Sequence, residues 1–100
     1  ISKSAYEKTE VYDIDTIIQQ DRDYFATLVG EDATSAVEDK EFGGKNFKYY
    51  YYNYTSNTDK ECRSQVYLYE AEEKYLWIEA RSLKTVDMAE IDKVIEKLFK

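Results

Sequence analysis

The run Tyr49-Tyr50-Tyr51-Tyr52-Asn53-Tyr54 sets five phenol rings in six residues. Tyrosine favours strands and joins an apolar body to a polar tip. Side chains alternate across a strand, so a strand through this run is aromatic on both faces. Such a strand either lies between two covered layers or offers one aromatic face to a partner. That choice bears most directly on what the chain can become.

Two further strands follow, so the three are expected at about 46–55, 62–70 and 74–82. Pairing residues whose numbers sum to 144 sets Leu68 opposite Leu76 and Val66 opposite Ile78. Tyr67 then faces Trp77, Tyr69 faces Tyr75, Gln65 faces Glu79, and Arg63 faces Arg81. This register gathers Val66, Leu68, Leu76, Ile78 and Ala80 on an aliphatic face. Phe47, Tyr49 and Tyr51 join that face when Lys48 points away. The other face carries Tyr50, Tyr52, Tyr54, Tyr67, Tyr69, Tyr75 and Trp77. A slip of one residue would mix the two sets.

The spacing of Ile14, Ile17, Ile18, Phe25 and Leu28 predicts a helix over 13–29, with Tyr24 and Val29 widening the stripe. Asp13 suits its N-cap and Gly30 its C-cap. Asp21 breaks the apolar stripe, which makes it either the end of the buried zone or a partner for Lys or Arg. Residues 30–46 read as a polar connection, with a short helical turn near Ala33 to Val37 and a turn at Gly43-Gly44. Ile91, Val94, Ile95, Leu98 and Phe99 form the apolar stripe of a last helix, opened by Asp87 and Glu90 at capping-box spacing. This helix is expected on the aliphatic face. Residues 1–12 are an N-terminal arm or edge strand, and 13–100 form a single domain. The expected fold is α+β and two-layered: helix, three-stranded antiparallel sheet, helix, with room for an extra N-terminal edge strand. That order resembles double-stranded-RNA-binding domains in topology, but the acidic balance and the absence of a basic helix start oppose their function.

Composition removes several function classes. The chain has no His, which excludes Ser-His and Cys-His triads and His-containing zinc sites. Its one cysteine, Cys62, cannot close an internal disulfide and reads as a small half-buried strand residue. The net charge of −7 opposes binding to nucleic acid or anionic membranes. The acidity belongs to residues 1–45, with eleven acids against five bases. An acidic half speeds encounter with a basic partner. No EF-hand loop or paired acidic residues in a pocket can be read, so no metal, cofactor or catalytic residue is expected. No apolar run approaches the length of a membrane span, so direct insertion of this segment is not expected. The chain opens on Ile1 rather than Met, so a targeting segment, a membrane anchor or simply the remainder of a longer chain is expected upstream, and an exported location is favoured without being fixed.

Taken together, these features predict a non-enzymatic interaction domain that binds a protein partner, or a second copy of itself, through the aromatic sheet face. The site residues on this reading are Tyr50, Tyr52, Tyr54, Tyr67, Tyr69, Tyr75 and Trp77. Truncating Tyr67 or Trp77 should then weaken binding and spare the fold. The alternative is an accessory or structural domain of an exported or membrane-anchored protein.

Overall fold

The computed structural model describes residues 2–7, 13–30, 34–72 and 74–98, without the side chains of 2–4, 6 and 7. Ala33 and Phe99, named above, lie outside the described residues. The elements run β1 (Ser2–Glu7), α1 (Ile14–Val29), β2 (Glu38–Phe42), β3 (Lys45–Thr55), β4 (Glu61–Glu70), β5 (Lys74–Leu83) and α2 (Met88–Leu98). The α+β class and the helix, sheet, helix order are as expected. The sheet has five antiparallel strands in the order β1-β5-β4-β3-β2. β1 is the extra N-terminal edge strand. β2 is an edge strand where the sequence suggested only a connection. Four of its five residues are charged, which blunts a sheet edge and hides the strand from any apolar pattern.

Local chemistry explains the element ends. The Asp13 carboxylate accepts from the Thr16 N–H at 2.7 Å and caps α1. Gly30 ends α1 at φ 91°, its N–H reaching Ala26 O. The β2–β3 turn is Gly43-Gly44, with φ of 59° and 78°. Two positive φ values make the type I′ geometry that matches strand twist. Nothing crowds a Cβ at Gly44, so only its backbone conformation requires glycine. Gly44→Ala is therefore expected to cost about 1 kcal/mol, and Gly44→Asn less; urea unfolding midpoints check the order. Residues 34–37 make no helical turn: Thr34 bridges Tyr52, and Ser35 exchanges hydrogen bonds with the Tyr51 backbone.

The β3 tyrosines divide as expected, but β4 is turned over. β4 and β5 pair with residue numbers summing to 145, so Leu68 meets Trp77 and Tyr67 meets Ile78. Ala71 N–H donates to Lys74 O at 2.9 Å and closes a tighter hairpin than the expected register allows. β4 is apolar on both faces, so polarity does not choose its register and turn geometry does. One face gathers Tyr50, Tyr52, Val66, Leu68, Tyr75 and Trp77 beneath Ile17 and Ile18 of α1. The other gathers Phe47, Tyr49, Tyr67 and Ile78 beneath Ile95 of α2. A helix thus covers each face, giving three layers where two were expected. The physical reason is the number of aromatic rings, which supply two apolar faces rather than one. The apolar stripe of α2 is only partly used: Ile95 is buried, while Val94 and Leu98 stay exposed.

Candidate functional site

Each helix is joined to the sheet by a phenol that donates to a helix carboxylate. On the α2 face, Tyr67 Oη donates to Asp92 Oδ1 at 2.5 Å. Lys40 Nζ meets Asp92 Oδ2 at 2.6 Å and stands 3.9 Å from the centre of the Tyr49 ring. A polar chain runs inward from there. Gln65 Nε2 donates to Tyr67 Oη at 2.9 Å, and Arg63 Nε donates to Gln65 Oε1 at 3.3 Å. Arg63 is 6 % exposed, and its other donors reach Lys84 O and Val86 O, holding the turn into α2. Burial, with the adjoining Asp92 charge, pushes the Tyr67 and Tyr49 phenols far above their usual range.

On the α1 face, Tyr50 Oη donates to Asp21 Oδ2. Tyr52 Oη donates to Glu79 Oε1 at 3.3 Å, and Arg81 Nε meets Glu79 Oε2 at 2.8 Å. Asp21 therefore pairs with a phenol, a partner that neither of its two expected roles, the end of the buried zone or a Lys or Arg pair, included. Burial raises its carboxyl to about 6, the nearby Glu79 charge adding and the Tyr50 hydrogen bond opposing. Burial likewise raises Tyr52 to about 12. Arg63 and Arg81 do not face one another. The shifted register sets Arg63 opposite Ser82 and Arg81 opposite Ser64, so the two arginines point to opposite faces.

The seven sequence-predicted residues are not one surface. Tyr50, Tyr52, Tyr75 and Trp77 do share a face, but α1 buries them. Tyr67 and Tyr69 lie on the opposite face because β4 is turned over. Only Tyr54 and Tyr69 remain partly exposed. Cys62 is a partly buried strand residue, as expected.

Apolar surface is left at one end of the α1 face. Tyr24 and Leu28 are each 60 % exposed, four residues apart on one side of α1. Tyr24 packs edge-on against Phe25 at 5.2 Å; Phe25 stacks on Tyr52 at 4.0 Å; Tyr52 tilts against Tyr54 at 6.0 Å. This ladder of rings leads from the solvent at Tyr24, through the core, to Tyr54. There Leu28, Val29, Tyr54 and Cys62 line a groove of about 390 Å³, flanked by Glu61 and Lys84. Exposed Leu83 lines the adjoining depression, which shares Glu61 and Lys84. Sequence periodicity placed Leu28 in the buried stripe. The last turn of α1 instead reaches the strand ends, where the groove replaces packing.

Among the described residues, no group of three or more Cys, Asp or Glu side chains is placed to hold a metal ion. No helix among them is long and apolar enough to cross a membrane. Comparison with known proteins finds no matching family model, curated protein or solved structure.

Proposed function

We propose that this domain is a non-enzymatic protein-interaction module whose contact surface is the apolar end of the α1 face. The carrying observation is the exposure of Tyr24 and Leu28 beside the Tyr54 groove. Exposed aromatic and aliphatic groups next to a concavity are the usual anchors of a protein interface. Of the aromatic set expected to bind, Tyr54 keeps that role, with buried Tyr52 tilted against it. Asp13, Asp15 and Asp23 stand exposed along the same helix. They favour a partner whose apolar knob is rimmed by Lys or Arg. Two partly buried carboxyl groups facing the sheet from the helices, Asp21 and Asp92, each accept a hydrogen bond from a sheet phenol. This supports binding rather than acid-base chemistry.

A photo-crosslinking residue placed at position 28 in the native cells tests the reading, with the same group at exposed Asn57 as control. A defined protein captured at 28 and not at 57 is the expected result. Leu28→Asp should then weaken binding of that purified protein by roughly 30-fold. Leu28 is largely exposed, so the fold should survive the change. Crosslinks between two copies of the chain would redirect the reading to a homodimer. Equal labelling at both positions would remove it.

A further inference from the structure

α1 carries an acid in the middle of the stripe it buries. Asp21 faces the sheet with Ile17 and Ile18 one turn before it and Phe25 one turn after it. Its partner, Tyr50, is fully buried. Among the described side chains, the opposing sheet face presents these charged and titratable groups. β3 presents Tyr50, Tyr52, Tyr54 and, near the start of α1, Lys48 opposite Asp39 of β2; β5 presents Glu79 and Arg81, with Tyr75 further along. β4 presents Ser64, Val66 and Leu68, none of them ionisable, with Cys62 and Glu70 at its ends. On α1 itself, Arg22 turns to Ser35 O at 2.9 Å, and Asp23 accepts from Gln19 at 2.7 Å.

The two acids in this layer are treated unequally. Glu79 is paired with Arg81 at 2.8 Å. Asp21 receives a neutral phenol, and no cation is bonded to it among the described residues. Lys48 is taken by Asp39 at 2.7 Å. An ionised Asp21 therefore sits in a largely apolar seam, facing a second negative charge, with one hydrogen bond to offset its lost hydration. Moving α1 outward would return that charge to water.

We propose that Asp21 is a proton-operated latch on α1: with its proton the helix is seated over the aromatic face, and without it the helix loosens. An acid that binds its proton more tightly in the seated state makes seating strongest when protonated, and that advantage is lost as pH rises through the seated pKa. The raised Asp21 value sets the window: the advantage is fully present below about 4 and is lost as pH rises through about 6. Asp21 is partly open to solvent, so the seating equilibrium should change by roughly tenfold rather than by the full shift. The latch needs no partner and is separate from the surface at Leu28.

Trp77 reports on it directly. It is the only tryptophan, it is 9 % exposed, and it lies under α1 with Tyr50 edge-on at 6.4 Å. Acrylamide quenching of its fluorescence should increase as pH rises from roughly 4 to 8, with a midpoint near 6. Asp21→Asn keeps an acceptor for Tyr50 and cannot ionise, so its quenching should stay low and flat. Tyr50→Phe keeps the ring and removes the bond that favours the ionised acid, so the midpoint should move to higher pH. Amide exchange at buried Val66 and Leu68 should not change over the same range, because their strand stays paired on both sides. Quenching that is flat in the natural chain would overturn the proposal. So would an equal rise in Asp21→Asn, a downward midpoint shift in Tyr50→Phe, or β4 exchange rising in parallel.

Discussion

Tyr67→Ala is expected to lower stability by about 4 kcal/mol, enough to reduce the melting temperature by roughly 20 °C in a domain of this size. Tyr67 is wholly buried on the α2 face, with its ring against Tyr49 at 5.0 Å. Truncation would empty that space and strand three groups. Asp92 would lose a donor, Gln65 Nε2 would lose its acceptor, and Lys40 would be held by a carboxylate no longer anchored to the sheet. Tyr67→Phe separates the two contributions. It keeps the ring and deletes only the hydroxyl, so it should cost about 1–2 kcal/mol. Thermal unfolding of both variants checks the ratio. A surface role for Tyr67 would instead leave both melting temperatures near that of the natural chain.

Arg63→Met should cost about 3 kcal/mol. The methionine fills much of the same space and donates nothing. Gln65 Oε1, fully buried, loses its donor, and the carbonyls of Lys84 and Val86 lose the group that ties the β5–α2 turn to β4. Arg63 and Tyr67 share Gln65 as a common neighbour, so their effects should not add. The double variant Arg63→Met with Tyr67→Phe is expected to lose about 1 kcal/mol less than the sum of the single changes. Urea denaturation of the four proteins measures that coupling. Strict additivity would show two independent contacts rather than one connected network.

Strands β3, β4 and β5 and both helices were legible because each carries a strong period, the two-sided tyrosine run above all. The strands at the two sheet edges were harder to read for a shared reason. β1 and β2 read Ser-Lys-Ser-Ala-Tyr-Glu and Glu-Asp-Lys-Glu-Phe, and edges tolerate charge that central strands do not. The facing of β4 failed on different grounds. Val66, Tyr67, Leu68 and Tyr69 suit either face, and the deciding feature was the tightness of the turn at Ala71. Asp21 stood out as an acid inside an apolar stripe, although its phenol partner lies 29 residues away and could not be read locally. Asp92 gave no such sign. One of its partners, Lys40, belongs to a strand the pattern hid, and the other, Tyr67, belongs to the strand that was turned over. The exposed pair Tyr24 and Leu28 was concealed by its own periodicity, since spacing says which side a residue takes but not where the sheet beneath it ends.

Building both sheet faces from phenols has a consequence for how the domain behaves when it breathes. A helix that lifts from a leucine face bares oil, and molecules opened in that way find one another. Here the bared surface would carry Tyr50 and Tyr52 on one side, or Tyr49 and Tyr67 on the other. Each of these rings brings a hydroxyl that water can reach once the helix lifts, and Tyr50 and Tyr67 exchange a helix carboxylate for that water. Partial opening should therefore be a dissolved and reversible excursion, and the chain can spend time ajar at high concentration without precipitating.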